Sequence, residues 1–147
     1  MYPTTGCAED FLIIEDDVLL RRIARYGDTN MVIADEATGE LRVRSGAFVM
    51  NDDGCSVYCQ RILEQNDMSA LALVRRPQNA VVSVTALAVD RQGLAARADP
   101  NPPVPEPHPR DVAHALIVRP EALSKNATKR ALSNLAKSAE FVISGTG

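Results

Sequence analysis

The chain is expected to adopt an α+β fold: a single small domain over residues 1–147, with a mixed or antiparallel sheet and a C-terminal amphipathic helix packed on it. Three observations point there. At 147 residues and 46% hydrophobic content, the chain has the size of one domain and enough apolar material for one continuous core. Aromatic residues make up only 4% and tryptophan is absent, so Val, Leu, Ile and Ala must fill that core, a composition suited to helices on a sheet. Short apolar runs bounded by Gly, Pro, Asn and Asp are mixed in order with amphipathic segments.

The elements follow along the chain. Asp16-Asp17 precedes Val18-Leu19-Leu20-Arg21-Arg22-Ile23, acid first and base last as a helix dipole favours, which predicts a short helix from Asp17 to about Arg25. Met31-Val32-Ile33-Ala34 predicts a strand, and the Thr38-Gly39 turn leads into a second, Leu41 to Phe48, the two forming a hairpin. Asn51-Asp52-Asp53-Gly54 tolerates left-handed backbone angles and predicts a turn that Cys55-Ser56-Val57-Tyr58 leaves extended. Cys59 to Gln65 makes a two-turn helix with Ile62 and Leu63 inward and Arg61 and Glu64 outward. Ala70–Val74 and Ala80–Val84 are apolar runs separated by a loop at Pro77, and the second at least predicts a buried strand. From Thr85 the spacing fits either a longer strand or a helix capped by Thr85 and closed by Gly93.

Residues 99–109 hold six of the nine prolines. Each fixes φ and removes a donor, so a stiff, exposed, polyproline-like loop is expected, excluded from helix and from central strand. Ala113 to Val118 reads as a strand ended by Pro120. In the last segment Leu123, Ala127, Ala131, Leu135 and Ala139 recur every four residues with Leu132 and Ala136 beside them. Ser124 supplies an N-cap, which predicts the amphipathic helix.

Charge and cysteine usage exclude several function classes. A formal net charge of −3 argues against broad nucleic-acid binding, and the basic face Lys125, Lys129, Arg130 and Lys137 lacks interleaved aromatics to stack on bases. Cys7, Cys55 and Cys59 form an odd set without disulfide spacing, which places the chain in a reducing, cytoplasmic compartment. The N-terminal residues lack the basic head and apolar run of a signal peptide. No apolar stretch approaches the roughly 18 residues of a membrane span, so no membrane association is expected.

Three groupings could carry chemistry. Arg42 and Arg44 alternate onto one strand face, where paired guanidinium groups grip a phosphate or carboxylate. With Ser45, and with His114 as acid, base or orienter, they form the candidate ligand-binding set. The competing reading is an edge strand whose charges face water. Pro102, Pro103, Pro105 and His108 form the candidate partner-binding set, because polyproline segments lose little entropy on docking. His108, Asp111 and His114 have the residue types of an open metal site, but an extended proline segment does not make them converge, and Cys55-x3-Cys59 is not a zinc spacing; no metal and no cofactor are expected. Neither Ser45 nor Ser56 lies in a Gly-x-Ser-x-Gly elbow, so nucleophilic catalysis has no sequence support.

Leu20-Arg21-Arg22-Ile23, Arg42-x-x-Ser45-x-x-Phe48, Asp53-Gly54-x-Ser56-Val57, and Asp99-Pro100 leading to His114-Ala115-Leu116-Ile117 together resemble a family of small uncharacterised bacterial proteins. The resemblance runs over most of the chain and implies a bacterial cytoplasmic origin but no reaction type. Cys55 stands where an aliphatic residue is more usual in that pattern and Tyr58 where an acid is, which weakens a catalytic role for those two positions.

The function expected from sequence is therefore a small accessory or protein-interaction module without its own catalysis, its partner another protein. The alternative is a small enzyme or toxin acting on a nucleotide or RNA through an Arg/Ser/His pocket. A third option is a homo-oligomeric structural protein whose apolar strand faces pair between copies.

Overall fold

Runs of three to six Val-, Leu- and Ala-rich residues are too short for stable helices but long enough to pair as strands. In the computed structural model, which describes residues 10–25, 27, 30–102, 104–106 and 108–145, they do pair. In chain order the elements are β1 (Val18–Ile23), β2 (Val32–Ala34), β3 (Leu41–Val43), β4 (Cys55–Cys59), α1 (Gln60–Gln65), β5 (Ala80–Thr85), α2 (Ala86–Arg91), β6 (Ala95–Ala98), β7 (His114–Val118), α3 (Lys125–Ser138) and β8 (Glu140–Ile143), with 3₁₀ turns at Ala70–Leu73 and Pro109–Ala113. Six strands form one sheet in the order β6-β7-β4-β1-β5-β8, and β2 and β3 form a separate two-stranded ribbon. Every pairing among these strands is antiparallel. The fold is α+β, as the sequence predicts.

The helix expected over Asp17–Arg25 is instead the strand β1, paired with β4 on one edge and with β5 on the other. Charges arranged along a helix dipole contribute a few tenths of a kcal/mol to about 1 kcal/mol. Two hydrogen-bonded ladders, and the complete burial of both Leu19 and Leu20 on opposite faces, outweigh that. Asp17 caps nothing helical; Arg61 of α1 grips its buried carboxylate in a fork, Nε to Oδ1 at 2.8 Å and one terminal guanidinium nitrogen to Oδ2 at 3.0 Å.

The β2–β3 hairpin forms as expected, but its second strand stops at Val43 rather than Phe48. Arg44 N still donates to Met31 O, and then Ala47 N donates to Arg44 O across a turn, so Ser45 and Gly46 leave the alternating register. The Ala70–Val74 run forms a 3₁₀ turn with Ser69 as its cap. Of the two readings left open from Thr85, the helix is realised: Thr85 Oγ1 accepts from Ala88 N at 3.0 Å, and Gly93 has φ +82° just beyond the end. Two strands escaped the sequence reading, β6 and β8, which lie at the two sheet edges and whose residues alternate between exposed and half-buried.

Helix α3 begins at Lys125 with Ser124 Oγ accepting from Ala127 N at 3.1 Å. Its buried residues Ala131, Leu132, Leu135 and Ala136 join one core cluster with Leu19, Val57, Val81 and Ile117 from four different strands. Among the described residues no helix is long and apolar enough to cross a membrane. At the Asn51–Gly54 turn, Gly54 has φ +130°, and a Cβ there would lie 2.8 Å from Ile117 O. Glycine lets the chain enter β4 this close to β7.

Candidate active site

Strand register brings together residues that lie far apart in sequence. Side chains two apart share a sheet face, so Ser56 and Tyr58 of β4 point the same way. Tyr58 sits directly opposite His114 of β7 and, on the other side, opposite Leu20 of β1, which puts Arg22 on that face too. Beyond the end of β6 the pairing continues, with Asp99 N donating to His114 O at 2.8 Å. Strands β1, β4 and β7, and Asp99 just beyond the end of β6, thus deliver polar side chains to one face.

Those side chains form a hydrogen-bonded chain. Ser56 Oγ lies 2.6 Å from His114 Nε2. His114 Nδ1 lies 2.9 Å from the Asp99 carbonyl oxygen and 3.1 Å from its carboxylate Oδ2. A carbonyl oxygen only accepts, so Nδ1 carries the proton; in the neutral ring the Nε2 lone pair then faces the Ser56 hydroxyl, which donates to it. Tyr58 meets the imidazole edge to face, with ring centroids 5.2 Å apart and planes at 74°, and holds it in place. His114 is only 5% exposed, whereas Ser56 is half-buried and open to a cleft.

The cleft has a volume of about 610 Å³. Ser56, Tyr58 and His114 line it together with three arginines, Arg22, Arg75 and Arg110, and the proline loop contributes Pro102, Val104, Pro105, Glu106 and His108. Of the described loop residues Pro100 is buried and Asp99 and Pro102 are half-buried, so the loop is exposed only in part, and it walls the cleft beside His114. Its last proline opens the 3₁₀ turn Pro109–Ala113, where fixed φ suits a first helical position and Asp111 Oδ2 accepts from His108 N at 2.8 Å. That turn packs against α1 and β4 and carries Arg110 into the cleft.

Burial lowers the Arg22 pKa from its ordinary value, and the charges of Arg75, Arg110 and Arg21 push it the same way against an opposing contribution from Tyr58. Guanidinium groups remain protonated at neutral pH even so, and the cleft is therefore crowded with positive charge. Arg22 donates to Leu73 O at 3.1 Å and Arg110 to Ala72 O at 3.3 Å, both backbone carbonyls. Cys55 and Cys59 are buried, and burial raises both thiols above their ordinary pKa, which leaves them unreactive at neutral pH.

The ligand-binding set expected from sequence is not brought to one place. His114 lines this cleft, while Ser45 lines a separate one of about 1030 Å³ between the Asn51–Gly54 turn and α3. Arg42 and Arg44 are exposed and line neither of the two. Of the partner-binding set, Pro102, Pro105 and His108 line the His114 cleft, and Pro103 lies outside the described residues, as does Cys7. Among the described residues no group of three or more His, Cys, Asp or Glu converges on a common metal position. Sequence reasoning missed Ser56, Asp99, Arg22, Arg75 and Arg110. The one available signal was the i, i+2 pair Ser56 and Tyr58 on a strand, which acquires meaning only once β7 is known to lie beside it. Compared with protein-family models, curated proteins and solved structures, the chain matches none.

Proposed function

We propose that this cleft is the active site of a small hydrolase or transferase in which Ser56 is the nucleophile, His114 its general base and Asp99 the residue that orients the imidazole. The observation carrying this reading is the unbroken Ser56–His114–Asp99 chain, with both contacts to the imidazole within hydrogen-bond reach and the tautomer fixed by the Asp99 carbonyl. Such geometry is recognised by roles rather than by an elbow motif, so the absence of Gly-x-Ser-x-Gly does not weigh against it.

Ser56 Oγ attacks the electrophilic centre of the substrate as its proton passes to His114 Nε2. The imidazolium, stabilised by Asp99 Oδ2, returns that proton to the departing group as its bond breaks. Water, or an acceptor hydroxyl, then gives its proton to His114 and attacks the Ser56 adduct. Ser56 Oγ leaves with the proton from His114, and the site is restored. Arg22 and Arg75 supply positive charge near the oxygen on which negative charge develops.

The docking-module reading is kept as second, on the strength of Val104, an apolar residue 44% exposed in the proline loop. One experiment separates the two. Incubation with a fluorophosphonate probe, followed by peptide mass spectrometry, is expected to find the adduct on Ser56. The adduct should be lost in Ser56→Ala and reduced roughly a thousandfold in rate in His114→Gln, consistent with the loss of a general base and its nucleophile acting as a unit. Folded wild-type protein that leaves Ser56 unlabelled would sink the catalytic reading and restore the docking one.

A further inference from the structure

Three guanidinium groups converge on the cleft, and among the described residues none of them has a carboxylate within ion-pair distance. Glu106, exposed on the proline loop, and Asp111, whose Oδ2 accepts from His108 N, are the acids that line the same cleft. Arg110 is 8% exposed, and its Nε is buried with no hydrogen-bond partner. Burying a cationic donor without an acceptor is costly, and proteins rarely retain one unless something arrives to satisfy it. Arg22, half-buried beside it, spends one terminal nitrogen on Leu73 O, while Arg75 is exposed at the rim.

We infer that Arg22, Arg75 and Arg110 form the recognition site for the phosphate group of a small organic phosphate, held beside the Ser56 hydroxyl. A phosphate brings close to two negative charges and three acceptor oxygens, which matches three guanidinium groups better than the single charge and two oxygens of a carboxylate. A cleft of about 610 Å³ falls in the range that holds small ligands. Tyr58, the one phenol ring among the described lining residues, is buried against His114. This inference deepens the proposed function, since the bound group is carried by the molecule on which Ser56 acts.

The test uses titration calorimetry with inorganic phosphate, phenyl phosphate and benzoate, on the wild type and on Ser56→Ala, so that binding is read without chemistry. Inorganic phosphate and phenyl phosphate are expected to bind both proteins with equal affinity, and benzoate at least tenfold more weakly. Arg75 is exposed, so Arg75→Gln should keep the melting temperature and weaken phenyl phosphate roughly ten- to a hundredfold, the loss of one charge-assisted contact. Arg110→Lys keeps the charge but removes the Nε donor and should weaken it by a similar factor. The Arg42→Gln variant, altered outside the cleft, should bind as the wild type does. Absence of phosphate binding, affinity unchanged in both Arg75→Gln and Arg110→Lys, or benzoate bound as tightly as phenyl phosphate would each overturn the inference. Phosphate bound normally by a protein whose Ser56 resists the fluorophosphonate would uphold the anion site and sink the nucleophile.

Discussion

Asp17 is an acid 3% exposed, and its carboxylate survives burial because Arg61 closes a fork on it and Ile14 N donates to Oδ2 at 2.9 Å. Hydrogen bonding to Arg61 is the largest influence on its pKa and outweighs the opposing effect of burial, so the group titrates below its ordinary value of 3.8. A carboxyl depressed in the folded state binds its proton more readily when unfolded. Its stabilisation is therefore full above the ordinary value and is lost as the pH falls below it. In Arg61→Ala the carboxylate is left buried without its cation, and urea unfolding at pH 6 should show a loss of about 2 kcal/mol. Repeated near pH 3, the gap between the two proteins should narrow; a gap that stays constant would mean that Arg61 acts through packing alone. Arg21 shows a different use of the same residue type. Its guanidinium donates to Ala47 O at 2.7 Å and to Ser56 O at 2.8 Å and lies over the Phe48 ring, tying the loop after β3 to the strand that carries Ser56.

At the scale of elements, local capping chemistry and tertiary pairing divide the structure between them. Helix α3 carries its own instructions: Ser124 caps its start, Thr128 Oγ1 donates back to Ser124 O at 2.8 Å, and an apolar stripe faces the core. Ser124→Ala should cost about 1 kcal/mol, seen as a lowered urea midpoint with an unchanged slope, and Ser124→Asp should recover most of it. Strand β1 carries no such instructions. Val18-Leu19-Leu20-Arg21-Arg22-Ile23 suits a helix as well as a strand by composition, and its state follows from the partners on either side. The proline loop lies between these cases. Its described residues lie outside strand and α-helix, as proline's backbone limits favour, and its last proline opens a 3₁₀ turn, but its position beside His114 depends on where β6 ends and β7 begins.

For the molecule as a whole, the sheet order places β1 and β4 in the interior, each paired on both edges, while the β2–β3 ribbon shares no ladder with the main sheet. Opening β1 disrupts two ladders and the core around Leu19 and Leu20, and so amounts to global unfolding. Opening the ribbon disrupts one three-residue pairing. Hydrogen exchange should find the β1 and β4 amides slowest and the β2–β3 amides faster by roughly a hundredfold or more, a small part of a global stability of order 5–15 kcal/mol. Equal protection in ribbon and sheet would show the two to be one cooperative unit. The strand residues that line the cleft come from β1, β4 and β7, so its geometry rests on strands paired on both edges.

Composition and local pattern by themselves determined the α+β class, the last helix with its cap, the turn at Asn51–Gly54, the strands β4, β5 and β7, and the irregular proline loop. The helix, the turn and the loop are fixed by interactions within a few residues, namely proline and glycine backbone limits, a capping hydroxyl and an apolar stripe with a clear period, while the strands were legible as apolar runs bounded by turn residues. Tertiary structure decided that Val18–Ile23 is a strand, that Ala95–Ala98 and Glu140–Ile143 pair at the sheet edges, and that Ser56, His114 and Asp99 meet. Ser56 and His114 are 58 residues apart, and only the pairing of β4 with β7 makes them neighbours. A strand side chain acquires its neighbours across the ladder rather than along the chain, and a one-residue change of register would turn Ser56 to the opposite face.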